Sequence, residues 1–382
     1  MSSKPQFVRL GELVRPSRRK NKNGDVAAVY SVTNSRGFAP SGDYFSKEVF
    51  SKELRTYRVV ERGSIAYNPS RINVGSVALQ DKEDEVIVSP LYVVFSVDSQ
   101  RMLPEYAVRF LKSKPGLDQI ASQSIGTVRN NLKFDALCRL DLRLPSLDEQ
   151  RRMLATLRSV EREIDEAREA LDKLDTLVKS RFVEMFDGVS WDVVPVSTVM
   201  SFFRNGVSPS KDGEAREMVL TLSAITQGSF DSSAAKVGSF KVTPAFDKRV
   251  EASSFLICRG NGNRSLVGTG EFPDASYENL VFPDTMIAAR VDENAVDKTY
   301  LSALWKRPFV RNQIEGKART TNGTFKINQQ MIKEIRIPLP PLSLQREFAA
   351  FAAQVDKSES IARKQIEKLR TLYDSLAQEY FG

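Results

Sequence analysis

The 382-residue chain is 41% hydrophobic and 27% charged, with 56 Lys and Arg against 48 Asp and Glu for a net charge of +8, and it has no histidine. That length exceeds one typical core and suggests two domains or more, while the basic excess favours polyanionic partners such as nucleic acid or an anionic membrane. Without histidine, a Ser-His-Asp triad, a Cys-His pair and His-ligated zinc are excluded, and Cys138 and Cys258 supply neither a disulfide framework nor a four-thiolate metal site.

The start "MSSKPQFVRL" has no apolar signal core, and no apolar run approaches the ~20 residues that span a bilayer, so a reducing cytoplasm is the expected location. After the opening "FVRLGELV" comes a basic, flexible stretch, "RPSRRKNKNG", which holds Arg18 and Arg19. A glycine-containing loop, "AYNPSRINVGS", then places Arg71 and Asn73 on a turn. The run "DEVIVSPLYVVFSV" is β-rich, and "YAVRFLKSKPGLDQI" from Tyr106 is helix-like. A segment Gly126-Thr127-Val128-Arg129-Asn130-Asn131 leads into "LRLPSLDEQRRM". From there Met153, Leu157, Val160, Ile164, Ala167, Leu171, Leu174, Val178, Phe182 and Met185 fall at alternating spacings of four and three, the heptad seam of one long helix.

Past Gly188 the same order returns. "WDVVPVSTV" takes the place of the opening strand, and "FLICRGNGNRSLVGTG" carries Arg259, Asn261, Asn263 and Arg264 on a Gly-rich turn. "YLSALWKRPFVRNQI" from Tyr300 mirrors the helix from Tyr106. "EGKARTTNGTFK" holds Arg319 and Lys326, and Gly323-Thr324-Phe325-Lys326-Ile327-Asn328 repeats the form G-T-x-(R/K)-x-N. "IPLPPLSLQREF" then repeats the signature at an offset of 195 residues, so that Leu144-Pro145, Gln150 and Arg151 correspond to Leu339-Pro340, Gln345 and Arg346. The second seam reads Phe348, Ala352, Val355, Glu359, Ala362, Ile366, Leu369, Tyr373, Leu376 and Tyr380, with one polar interruption at Glu359. The chain is therefore read as two tandem copies of a globular domain plus a long helix: domains over 1–143 and 188–337, helical spacers over 144–187 and 338–382. The expected class is α+β with mixed sheets, the two helices packing as a coiled coil.

Two loops invite an enzymatic reading. Asn68-Pro69 partly resembles the Asn-Pro-Pro-aromatic loop of amino-methyltransferases, but Ser70 and Arg71 stand where the second proline and the aromatic belong. Gly260-x-Gly262 follows an apolar strand, yet Ser265 takes the third glycine's place and no amphipathic helix follows. Both read better as Gly-rich turns that present guanidinium and amide groups. Arginine pairs with guanine edges and asparagine with adenine edges, and both grip phosphate. The DNA-contact candidates are Arg18, Arg19, Arg71, Asn73, Arg129, Arg259, Asn261, Arg264, Arg319 and Lys326, and the partner-contact candidates are Gln150 and Gln345, for which a capping or packing role is the equal alternative.

The paired LP-x-x-x-Q signatures, the heptad helix after each, the G-T-x-(R/K)-x-N segments and the "YNPSRINVGS" loop together resemble the specificity subunit of type I restriction-modification systems across essentially the whole chain. Two departures stand out: Leu344 replaces the usual Glu before Gln, and Ser146 replaces a common second proline. The resemblance implies two target-recognition domains, each reading half of a bipartite DNA site, with the helices antiparallel as a ruler between them. It implies two methyltransferase subunits as partners, using S-adenosylmethionine to methylate adenine, and restriction subunits using ATP and Mg. The chain itself would bind no cofactor and catalyse nothing. A helix of about 38 residues at ~1.5 Å each is roughly 57 Å long, and half-sites on one face of B-DNA recur about every 34–36 Å. A split target with an unread spacer is expected, and an asymmetric one, because the two domains differ in sequence.

Two other classes compete. A coiled-coil scaffold binding only proteins would lack sequence-specific DNA affinity. A self-contained DNA methyltransferase or nuclease would need a cofactor glycine loop or an acidic metal cluster, and neither is evident in the sequence.

Overall fold

The computed structural model describes residues 7–34, 36–41, 53–123, 131–321 and 323–382. The chain divides into two compact units, one of Met1–Ala170 with Ala362–Gly382, the other of Leu171–Ile361. These units cut across the linear boundaries read from the sequence, because each combines a globular part with the beginning of one long helix and the end of the other.

In the first unit the described elements are β1 (Phe7–Arg9), β2 (Val14–Ser17), β3 (Tyr30–Thr33), β4 (Gly37–Pro40), β5 (Arg58–Glu61), β6 (Ile65–Tyr67), β7 (Val77–Leu79), β8 (Glu85–Val88) and β9 (Val93–Val97). They continue with α1 (Pro104–Lys112), α2 (Lys114–Gln123), α3 (Phe134–Leu137), β10 (Asp141–Arg143) and the start of α4 (Leu147–Phe186). Short β-branched runs such as "IAY" in β6, buried at all three positions, form the centre of an antiparallel sheet in the order β2-β9-β6-β7. Two further pairs, β3-β4 and β5-β8, stand beside it, and β1 pairs with β10 so that Val8 faces Leu142. Helix α1 begins with a proline whose missing N–H costs nothing there, has Glu105 in its first turn, and buries Tyr106, Ala107, Phe110 and Leu111 along one face.

The second unit holds the remainder of α4, then β11 (Val193–Pro195), β12 (Met200–Asn205), β13 (Ala215–Leu220), α5 (Ser223–Thr226), β14 (Ala235–Phe240), β15 (Arg249–Val250), β16 (Ser254–Cys258), β17 (Gly260–Asn261), β18 (Gly270–Glu271), β19 (Tyr277–Val281) and β20 (Met286–Val291). It ends with α6 (Lys298–Trp305), α7 (Pro308–Lys317), β21 (Arg319–Thr321), β22 (Thr324–Lys326), α8 (Gln329–Lys333), β23 (Arg336–Pro338) and the first part of α9 (Leu342–Phe381). One sheet runs β12-β20-β16-β18, and a second runs β14-β13-β19-β15 with β13 and β19 parallel, so this sheet is mixed. The fold is α+β throughout, with a globular part before each long helix.

Within each unit the helix segments run antiparallel. In the first, Leu154 and Leu157 near the start of α4 share a core with Ala377 and Phe381 at the end of α9, while Glu161, further along α4, faces Tyr373 through Arg109. In the second, Phe182 and Phe186 pack edge-on against Phe348. The heptad seam holds along the middle of each helix and shifts at the ends. There Leu154, Phe186, Ala377 and Phe381 are the deeply buried residues, where the spacing selects Met153, Met185, Leu376 and Tyr380. A helix end that meets a globular domain as well as a partner helix buries a wider arc than a two-helix seam.

The duplication is visible bond by bond. The Leu10 amide donates to the Leu140 carbonyl at 2.8 Å, and Val196 to Ile335 at 2.7 Å. The Tyr106 hydroxyl donates to the Arg143 carbonyl at 2.9 Å, and the Tyr300 hydroxyl to Pro338 at 3.0 Å. The two departures in the signature also find their reason. Ser146 and Glu149 cap α4 reciprocally: Glu149 Oε2 accepts from the Ser146 amide at 3.0 Å and hydroxyl at 2.8 Å, while Ser146 Oγ accepts from the Glu149 amide at 3.3 Å. In the second copy Pro341 takes Ser146's place, where no side-chain cap is made, and Leu344 takes Glu149's place and packs against the domain core.

Candidate nucleic-acid interface

In the first unit the loop after β6 is shaped by its own polar groups. Asn68 Oδ1 accepts from the Ser70 amide at 3.0 Å, the Arg71 amide donates to the Asn68 carbonyl at 3.0 Å, and a single 3₁₀ turn over Ile72–Val74 ends at Gly75 with φ +83°. That left-handed conformation favours glycine, and Ile72, 1% exposed, pins the turn to the core. Arg71 and Asn73 are left on the outside with exposed side chains. The loop lies against the end of the first G-T segment: Ser70 Oγ donates to Asn131 Oδ1 at 2.5 Å, and the Leu132 amide to the Pro69 carbonyl at 3.0 Å. Arg129 lies outside the described residues.

Arg18 is exposed, and Arg19 is engaged elsewhere. Its guanidinium bonds Glu85 and, at 2.7 Å, Glu61, and the hydrogen bond to Glu85, followed by that to Glu61, raises its pKa further. One cation between two carboxylates leaves a local negative excess. Arg19, a DNA-contact candidate, ties β5 to β8 through these two carboxylates.

The second unit assembles what the sequence kept apart. A three-stranded antiparallel sheet in the order β17-β22-β21 sets Gly260 opposite Lys326, Asn261 opposite Phe325 and Arg319 opposite Lys326. The Gly-rich turn and the second G-T segment thus share one small sheet, with Arg264, Arg319 and Lys326 exposed and Asn261 half-buried; Arg319 and Lys326 lie on one face, Asn261 and Arg264 on the Phe325 face. The turn is preorganised. Asn261 Oδ1 accepts from the Asn263 amide at 2.8 Å, and Asn263 Oδ1 accepts from the Ser265 amide and hydroxyl, opening a 3₁₀ turn over Arg264–Leu266. No α-helix follows the glycines there, as a nucleotide-binding turn would require.

Arg264 donates to the Glu315 carbonyl at 2.7 Å and lies 5.9 Å over the Phe325 ring, which fixes the direction of its guanidinium. Arg259 sits at the foot of the sheet, donating to the Asp284 carbonyl at 3.1 Å while its own carbonyl accepts from Ile327, so it acts mainly as a brace. The sequence reading missed Arg311, whose Nη2 donates to the carbonyls of Ser265 and Val267 and holds the turn from below. Its place in α7 is a helical spacing that carries no signal for a loop far upstream.

Gln150 and Gln345, read as partner-contact candidates or as capping and packing residues, face the interior of their domains. Both are fully buried, and their amides are consumed internally. Gln150 Oε1 accepts from the Leu103 amide at 2.8 Å, and Nε2 donates to the carbonyls of Arg101 and Pro145, each at 2.9 Å. Gln345 Oε1 accepts from the Asp297 amide at 2.9 Å, and Nε2 donates to Pro340 at 2.7 Å. Each glutamine thus locks the start of its long helix to the chain entering α1 or α6.

Among the described residues no group of three or more His, Cys, Asp or Glu could hold a metal ion, and no helix is long and apolar enough to cross a membrane. Burial pushes the Cys258 thiol up to about 11, away from thiolate chemistry.

Comparison with known proteins gives this geometry its context. The EcoKI specificity subunit of Escherichia coli K12, a type I restriction enzyme component, is 22% identical over 293 residues, which cover 72% of this chain and 63% of that protein. The chain thus spans somewhat less than two thirds of the length of that relative. A solved structure concerned with complex assembly and conformational transition of a type I R-M system superposes over 99% of this chain and 98% of its own, with a TM-score of 0.63 at 17% identity. The type I restriction-modification S subunit from M. genitalium superposes over 100% and 98%, with a TM-score of 0.55 at 14% identity. These two likenesses are likenesses of fold. The sequence profile of the type I restriction modification DNA specificity domain matches residues 5–174 and 280–371, more than half of the chain. The chain belongs to the type I restriction modification DNA specificity domain family.

Proposed function

We propose that this chain is the DNA-specificity subunit of a type I restriction-modification complex, each unit reading one half of a bipartite, asymmetric DNA site. The observation that carries the reading is the β17-β22-β21 sheet, which brings Asn261, Arg264, Arg319 and Lys326 from two separated segments together in one small sheet, Asn261 and Arg264 on the Phe325 face and Arg319 and Lys326 on the other. Exposed cations supply sequence-independent grip on phosphate, and fixed amide and guanidinium groups on rigid turns supply base discrimination. In the first unit Arg71 and Asn73 stand on a similar Asn-opened 3₁₀ turn but at different positions from Arg264, so the two turns present different side chains, which supports unlike half-sites.

On this reading the chain performs no chemistry and binds no cofactor of its own. Two methyltransferase subunits bring S-adenosylmethionine for adenine methylation, restriction subunits bring ATP and Mg, and the assembly works in the cytoplasm. The test is methylome sequencing of cells expressing this chain with its methyltransferase subunit. A split, asymmetric methylated motif that disappears when the chain is deleted supports the reading. A stable complex with no chain-dependent motif favours a protein-binding scaffold.

A further inference from the structure

The repeat allows the first unit to be read as a comparison for the second, and the two differ at one place. In the first unit Arg109 of α1 reaches between α4 and α9. Its Nη1 and Nη2 bond the two carboxylate oxygens of Glu161 at 2.8 and 2.7 Å, Nη1 also bonds the Tyr373 hydroxyl at 2.9 Å, and Nε bonds Glu105 at 3.0 Å. Counting from the matched pairs Tyr106 and Tyr300, and Gln150 and Gln345, these four positions become Ala303, Asp356, Val178 and Thr299 in the second unit. A methyl group stands where the guanidinium stood, with a carboxylate retained opposite it.

The space is open. Val178, Thr299, Ala303 and Asp356 line a cleft of about 300 Å³ between α4, α6 and α9. Other charged groups in its wall are matched: Lys179 with Asp175 at 2.6 Å, Lys306 with Glu271 at 2.7 Å, and Arg307 with Asp187 at 2.8 Å. Asp356 has no ion pair or hydrogen bond among the described residues, and burial followed by the nearby Glu359 charge pushes its carboxyl above the ordinary range. The one uncompensated charge in the cleft is thus an anion, in a repeat of a site that holds a guanidinium.

We propose that this cleft is a socket for an arginine side chain of the methyltransferase subunit, supplied from outside to complete the second unit as Arg109 completes the first. The inference rests on the proposed recruitment of methyltransferase subunits. A free cation would be held by a single carboxylate, whereas a side chain carried on a docked protein arrives at high effective concentration and needs little affinity of its own. A planar guanidinium also matches a carboxylate in the two-pronged geometry that Arg109 and Glu161 display. The first unit's counterpart is already filled, so the two units are not equivalent partner sites.

The experiment is native mass spectrometry of the full chain co-expressed with its methyltransferase subunit. The unmodified chain is expected to carry two such subunits. Ala303→Arg fills the cleft from within, excludes the partner's arginine and should weaken binding of one of the two subunits about tenfold, while circular dichroism reports the native helix content. Asp356→Asn keeps the shape, removes the charge, and should weaken the second subunit about tenfold or more, which keeps the inference testable if Ala303→Arg fails to fold. An Ala303→Arg or an Asp356→Asn chain that binds both subunits with unchanged affinity overturns the socket. Loss of self-association instead of methyltransferase binding overturns the choice of partner. An unmodified chain that takes up no methyltransferase subunit overturns the functional reading itself, a result separable from the others.

Discussion

The ring of Tyr106 rests 5.1 Å, centroid to centroid, from that of Phe381, a residue from the opposite end of the chain. The second unit makes the same contact between Tyr300 and Phe186 at 4.8 Å. Each globular part is therefore completed by the terminal turn of a long helix, and the first unit depends on the C-terminal turn of α9. Phe381 is 3% and Phe186 4% exposed, so truncation of either creates a core cavity. Phe381→Ala should cost about 3–5 kcal/mol. Hydrogen exchange should show the loss concentrated in the first unit for Phe381→Ala and in the second for Phe186→Ala; a uniform loss across both would contradict this division.

The buried glutamines predict a stability effect with no accompanying change in surface. Gln150→Leu removes one acceptor and two donated bonds and leaves the Leu103 amide and two carbonyls unmatched. Each buried group so stranded costs about 1–3 kcal/mol. Urea unfolding should show a lower midpoint for Gln150→Leu and for Gln345→Leu. Wild-type stability in both would refute the clamp.

Arg109 predicts a further loss. Its side chain is 14% exposed and that of Glu161 41%, so Arg109→Met strands a partly solvated carboxylate. Breaking a fully buried pair costs about 3–5 kcal/mol. Solvent access at Glu161 lowers the expected figure to about 1–3 kcal/mol. The double variant Arg109→Met, Glu161→Leu should recover part of it, which a thermodynamic cycle measures.

The reciprocal cap at the start of α4 sets a pH dependence. The Ser146 hydroxyl, and then its amide, hold the Glu149 carboxyl below its ordinary value. A carboxyl depressed in the folded state stabilises it above the unfolded pKa, and that contribution is lost as the pH falls through the folded value. Carbon-detected NMR titration should find Glu149 titrating below exposed glutamates, and Ser146→Ala should return it upward. Ser146→Ala should also cost about 0.5–2 kcal/mol of helix stability.

DNA binding should divide by residue. Lys326→Ala and Arg319→Ala, if phosphate contacts, should weaken every sequence alike and flatten the slope of log K against log salt, by about one unit per contact. Arg264→Ala and Asn261→Ala should cost about 1–3 kcal/mol on the cognate half-site and relax its specificity. Fluorescence anisotropy of the assembled complex on cognate and scrambled duplexes separates the two behaviours.

The duplication, the two long helices and the α+β character were legible in the chain because each is a local or strictly periodic property: a heptad spacing, an offset of 195 residues, short β-rich runs between Gly and Pro. What the glutamines do was not legible, since a conserved spacing in a repeat says that a residue matters without saying whether it faces a partner or the core. The fate of individual arginines was equally hidden. Arg19 and Arg264 look alike in sequence, yet Glu61 and Glu85 pair with one, while the Phe325 ring and a backbone carbonyl hold the other. Likewise the sheet formed by the Gly-rich turn and the second G-T segment exists only through cross-strand pairing. Burial, charge matching and strand register depend on neighbours brought from distant parts of the chain, so tertiary structure alone decided them.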